Sequence, residues 1–162
     1  MTVVHDPSVR VRDGETLAPV LRATHEVWLR ETNRFLLPII LREAPFWSRW
    51  TAVRYLADQF LGQFRREHAL VNELRPFLPH DVADRLERDG EQIHRLQRKL
   101  DLVGRRRGSA HEMSAMARRL LQLLRYWCAD IEAAAGAILR DNLAPEGRRL
   151  LLDLERYASI HA

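Results

Sequence analysis

The chain has 162 residues, 46% of them hydrophobic, one cysteine and a formal charge of +4. Such a length and apolar content fit a single domain with a substantial core and exclude a disordered chain, while one cysteine excludes an intramolecular disulfide. No apolar run approaches the roughly 20 residues that span a bilayer, and the N-terminus lacks a signal-peptide core, so a cytoplasmic protein with no membrane partner is expected.

Residues 1–15 read as a loose polar arm, and 16–162 as one helical domain. The first periodic segment runs from about Thr16 to Leu37, with Leu21, His25, Trp28, Leu29, Thr32 and Leu36 on one face. Pro38 and Pro45 bracket a connection. The second segment runs from about Ser48 to Arg75 with Val53, Phe60, Phe64, His68 and Val71 inward, and Pro76 and Pro79 stop it because proline cannot continue the hydrogen-bond ladder. The third runs from about Asp81 to Val103. Its apolar stripe, Leu86, Gly90, Ile93 and Leu100, contains a glycine that supplies no core side chain and costs about 1 kcal/mol of helix propensity. Gly104 to Gly108 reads as a solvated turn around three arginines. The fourth segment runs from about Ser109 to Arg140, with Leu120, Leu124, Trp127, Ile131, Ala134 and Ile138 inward.

A shorter fifth helix, about Pro145 to Ile160, carries the stripe Leu150, Leu151, Leu154 and Tyr157, which either docks on the other helices or supports a homodimer. No segment alternates in the strand manner. Four long amphipathic helices with short connections predict an all-α, up-down-up-down four-helix bundle with a short fifth C-terminal helix. The arginines are spread among 22 acids, and Lys99 is the only lysine. A nucleic-acid footprint gathers charge on one face, so none is expected.

Two histidines, His25 and His68, lie on the apolar stripes of adjacent helices, which prompts comparison with metal-binding bundles. Ferritin-like sites need two Glu-x-x-His motifs, and only Glu91 to His94 matches. The hemerythrin-like (HHE cation-binding) family fits better. "ATHEVWLRETNRFL" resembles its first helix, "FLGQFRREHALVNELRPFLP" its second, "RLERDGEQIHRLQRKL" its third, and "LLRYWCADIEAAAGAILRDNLAPEGRRLLLDL" its fourth with the tail. The resemblance covers roughly Leu17 to Tyr157.

The resemblance implies a metal-binding bundle, yet most implied ligand positions are altered. His25 and His68 match histidine ligands. The family's second and fourth helices typically carry His-x-x-x-Glu; the glutamate expected four residues after His68 is Asn72, the third-helix histidine is Gly90, and the fourth-helix pair falls on Trp127 and Ile131. A register shifted by one would instead bring Cys128 and Glu132 to the site, but the apolar stripe through Trp127 favours the unshifted one.

The expectation is therefore a degenerate, metal-free and cofactor-free bundle. Its former metal cavity would become a small-molecule pocket lined by Trp28, Phe60, Phe64, Asn72, Gly90, Trp127 and Ile131. His25, His68 and His94 are the candidates for ligand binding or acid/base catalysis. One alternative is a non-haem iron protein, binding O2 or oxidising a substrate through some of His25, His68, His94, Cys128 and Glu132. Another is a structural or regulatory interaction protein whose histidines are satisfied core groups.

Overall fold

A computed structural model of the chain describes residues 15–42 and 46–162. The expected arm lies outside them apart from Glu15, whose carbonyl accepts from the Arg140 amide at 2.9 Å. Among the described residues the fold is all-helical, with one isolated antiparallel bridge, Thr16 to Leu139. Helix α1 spans Ala18–Ile40. Helix α2, Phe46–Tyr55, passes through a π-helical turn, Leu56–Phe60, into α3, Leu61–Leu74. Helices α4 (His80–Arg105), α5 (Ala110–Ala135) and α6 (Pro145–His161) complete the chain.

The helix ends have local causes. Contrary to the expected stop, α1 runs past Pro38, which sits in its last turn. A proline there removes a single N–H, and the helix ends two residues later, where Arg42 takes the left-handed conformation at φ 57°. Helix α4 also ends beside a left-handed residue, Arg107 at φ 55°. A non-glycine residue in that conformation costs on the order of 1–2 kcal/mol.

Helix α5 starts on a side-chain cap, with Ser109 Oγ accepting from the Glu112 amide at 3.1 Å. Ser109 and Glu112 have the spacing of a capping box. The helix stops at Ala135, before the expected Arg140. There the chain is tied to the start of α1: Ala18 N donates to Gly136 O at 3.1 Å and Leu17 N to Ile138 O at 2.9 Å.

Inside the long second helix, the π turn breaks the regular ladder, as such single turns do. Gln97 of α4 donates to the Leu56 carbonyl there at 3.0 Å.

Helix α1 packs on α5, α2 and α6; α4 packs on α5, α2 and α3; and α6 also lies on α3. The α6 stripe is used in this docking, with Leu151 and Leu154 in the common core and Leu150 and Tyr157 packed against it. Ser114 Oγ donates to Ile40 O at 2.7 Å and Arg42 lies 2.6 Å from His111 Nδ1. Arg49 donates to Gly108 O. The C-ends of α1 and α4 thus share one end of the molecule with the starts of α2 and α5. Among the described residues, no helix is long and apolar enough to cross a membrane.

Candidate functional site

The inward face of α1 carries His25 to the centre of the molecule, among buried Leu21, Thr24, Trp28 and Thr32. Its Nε2 shares a hydrogen bond with Glu67 Oε2 at 3.2 Å. Its Nδ1 lies 3.4 Å from Glu132 Oε1, an ion-pair distance that is not aligned as a hydrogen bond. Glu67, on α3, is fully buried, whereas Glu132, on α5, is 34% exposed. The second Glu67 oxygen accepts from Gln63 Nε2 at 3.2 Å, and Gln63 Oε1 accepts from Arg66 Nη1 at 3.1 Å.

Electrostatics follow from this geometry. Burial by itself lowers the pKa of His25, but the charge and hydrogen bond of Glu67 and the close contact of the Glu132 carboxylate outweigh it and raise the value to about 9. His25 is an imidazolium at neutral pH. Glu132 is held below the usual carboxylate range by its contact with His25, against the opposing effect of its partial burial. Cys128 is buried nearby, and burial together with the two carboxylates pushes its thiol well up. It is a protonated thiol rather than a nucleophile.

Apart from Asn72, the residues expected to line an interior pocket do come together, but as packed core. Trp28 lies 5.3 Å from Phe60 and 6.4 Å from Trp127 between ring centroids. Phe64 lies 5.4 Å from Trp127, and the Trp127 indole N–H donates to Leu86 O at 2.9 Å. Ile131 is fully buried beside them in the same cluster. A Cβ on Gly90 would stand 3.3 Å from the Trp127 ring and 3.4 Å from that of His68. The open space expected at Gly90 is therefore filled by the indole. The glycine fits a close approach of two helices.

His68 and His94 gather elsewhere. Both rings stack on Phe64, at centroid distances of 5.8 and 5.6 Å. They belong to an outward-opening cleft of about 310 Å³, lined also by Arg65, Asn72, Glu87 and Glu91. Partial burial, followed by the charges of Arg98, Arg65 and His68, lowers the pKa of His94. Asn72 is exposed on the rim, away from His25. The candidates thus divide between a buried cluster around His25 and a cleft around Phe64.

A metal centre of the family type does not fit these residues. Both ring nitrogens of His25 face carboxylates, Gly90 and Ile131 offer no donor side chain, and His68 turns to Phe64. Among the described residues, no three or more His, Cys, Asp and Glu side chains are grouped so as to hold a metal ion.

Glu67 and Gln63 were missing from the sequence expectations, although a signal for them existed. At about 100° per residue, Glu67 falls within about 20° of Phe60 around the helix, His68 about 80° away and Asn72 about 120°. Glutamate reads as a surface residue, which masked it. On α5, Glu132 reaches His25, while Trp127 and Ile131 are buried. The chain matches no protein-family model, no curated protein and no solved structure.

Proposed function

We propose that the chain is a hemerythrin-like, up-down-up-down four-helix bundle without a metal centre, and that it binds a small organic molecule in the cleft over Phe64. Support for the bundle comes from the adjacency of the helices and from two pairs at i, i+4. Gln63–Glu67 on α3 and Cys128–Glu132 on α5 have the spacing of the family's His-x-x-x-Glu motif, and both glutamates turn to His25. In this alignment Gln63 and Cys128 stand at the histidine positions, so His68, matched to the second-helix histidine on sequence, falls outside them. In this reading the imidazolium of His25 supplies the positive charge between carboxylates that a metal otherwise would.

One observation carries the ligand reading: two imidazoles from different helices converge on one phenyl ring in an open cleft. An apolar floor with a few convergent polar groups is the usual make-up of a small-molecule site. His94, with its lowered pKa, is neutral at physiological pH and suits the role of proton acceptor. His68, Asn72 and Glu91 would orient a planar ligand bearing hydrogen-bonding groups. Acid/base chemistry there would need no cofactor.

The test is a ligand-observed NMR screen with aromatic acids, amines and N-heterocycles. Hits should shift the His68 and His94 ring signals, leave His25 unmoved, and disappear in His68→Gln and His94→Gln. An empty screen, or hits indifferent to both substitutions, would overturn the reading. Anaerobic reconstitution with ferrous iron should give less than about 0.2 equivalents, since a di-iron pair needs several anionic or imidazole ligands. Stoichiometric iron would instead establish the non-haem iron alternative.

A further inference from the structure

Of the chain's four tryptophans, two are core residues and two are not. Trp47 is 70% exposed and Trp50 45%. Both lie on the first turns of α2, at the end of the molecule shared with the C-ends of α1 and α4 and the start of α5. Leu37, Leu41 and Leu102 are also exposed there. This end is basic. Residues 34–58 hold four arginines against Glu43 and Asp58, and residues 101–112 hold three against Asp101 and Glu112.

At the opposite end the arginines stand among carboxylates. Arg75 meets Asp84 and Glu87, Arg85 meets Asp130, and Arg140 meets Glu15 and Glu155. At the tryptophan end, aromatic contacts take a share. Arg105 pairs with Asp101 at 3.0 Å while its guanidinium also lies 5.8 Å from the Trp50 ring centroid, and Arg34 lies 5.6 Å from that of Phe35. Both left-handed residues, Arg42 and Arg107, are here, so arginine stands where glycine would strain the backbone less.

We propose that this end docks peripherally on an anionic phospholipid surface, with Trp47, Trp50, Leu37 and Leu41 entering the headgroup layer and the surrounding arginines meeting lipid phosphates and carboxylates. Indole rings favour the membrane–water interface because they join an apolar body to a polar N–H. Basic side chains around them add attraction to anionic lipid. Charge argues against a second copy of the chain as the occupant, since pairing would bring two arginine-rich ends together. No spanning helix is required, in keeping with the helices present. The inference is independent of the cleft around Phe64.

The test is co-sedimentation of the full chain with vesicles of phosphatidylcholine carrying about a third phosphatidylserine, compared with phosphatidylcholine alone. Binding should require the anionic lipid, weaken steeply with salt, and be accompanied by a blue shift of tryptophan emission. Trp47→Ser/Trp50→Ser should weaken it about tenfold or more, as should Arg54→Glu/Arg106→Glu. Circular dichroism of both variants should match that of the parent chain, since all four side chains are exposed. Absence of vesicle binding at low salt would overturn the proposal, as would binding that survives both pairs of substitutions. Capture of single-stranded homopolymer RNA through Trp47 and Trp50, without vesicle binding, would assign the surface to nucleic acid instead and equally overturn it.

Discussion

His25 and His94 are the same residue type in neighbouring parts of one small protein, and their environments drive them in opposite directions. Both are desolvated to some degree, which disfavours the charged ring. His25 faces Glu67 and Glu132, and the carboxylates win, leaving a locked imidazolium. His94 faces Arg98, Arg65 and His68, and the cationic neighbours reinforce the desolvation. The first histidine joins three helices through charge. The second lies in an open cleft with its pKa lowered. What the neighbours carry, more than depth of burial, sets the opposite pKa directions of the two histidines.

Breaking the buried cluster should give the largest effect. His25→Leu leaves Glu67 buried without its counter-charge, and loss of one partner of a buried pair costs roughly 3–5 kcal/mol. Urea denaturation should show that loss, with much of it recovered in His25→Leu/Glu67→Met. A single variant as stable as the parent would mean that the pair contributes no net charge stabilisation.

A pH titration reads the same contrast without mutation. The folded pKa of His25 is raised from 6.5 to about 9, so its contribution is fully present below about 6.5 and lost as pH rises through about 9. That shift corresponds to about 3 kcal/mol, by order of magnitude. Glu132 acts oppositely: its pKa is depressed, so its contribution is present at neutral pH and fades on acidification below the usual carboxylate range. Stability should therefore fall on both sides of neutrality, and the alkaline loss should be absent from His25→Leu. An alkaline limb that persists in this variant would assign the titration to another group.

Gly90 sharpens the distinction between filled interior and open cleft. Gly90→Leu should destabilise by about 1–3 kcal/mol through overpacking, because the Trp127 ring is pinned by Leu86 O, Trp28 and Phe64. Gly90→Ala should lie near neutrality, since about 1 kcal/mol of helix propensity opposes a contact at 3.3 Å. A tolerated leucine would indicate that the indole moves away and opens the interior. The smallest effect belongs to His94→Gln, which should change stability by less than about 0.5 kcal/mol as a part-exposed surface substitution. An NMR titration should place the His94 midpoint below 6.5, the ordinary histidine value, while His25 stays charged. A His94 midpoint above that of His25 would remove the contrast.

Much of the helical framework was legible in advance. Apolar stripes at a period of 3.6 located every long helix, and Pro76 and Pro145 marked breaks that the backbone obeys. Pro38 misled because a proline in the last turn costs little, and Arg140 misled because backbone bonds from α1 end α5 at Gly136. The site was harder to read. An apolar stripe is broad, so adjacent polar residues at its centre and edge look alike in sequence.

Composition and periodicity by themselves determined an all-helical chain, its helix positions and the inward placement of His25. Only tertiary packing decided that Glu67 rather than His68 meets His25, that Glu132 reaches the same ring, and that Trp127 covers Gly90. Those outcomes depend on the rotation of α3 and α5 about their own axes and on how closely α4 approaches α5. Such rotations of tens of degrees and approaches of a few ångströms are fixed by the joint packing of all the helices. A single helix's periodicity carries no record of them.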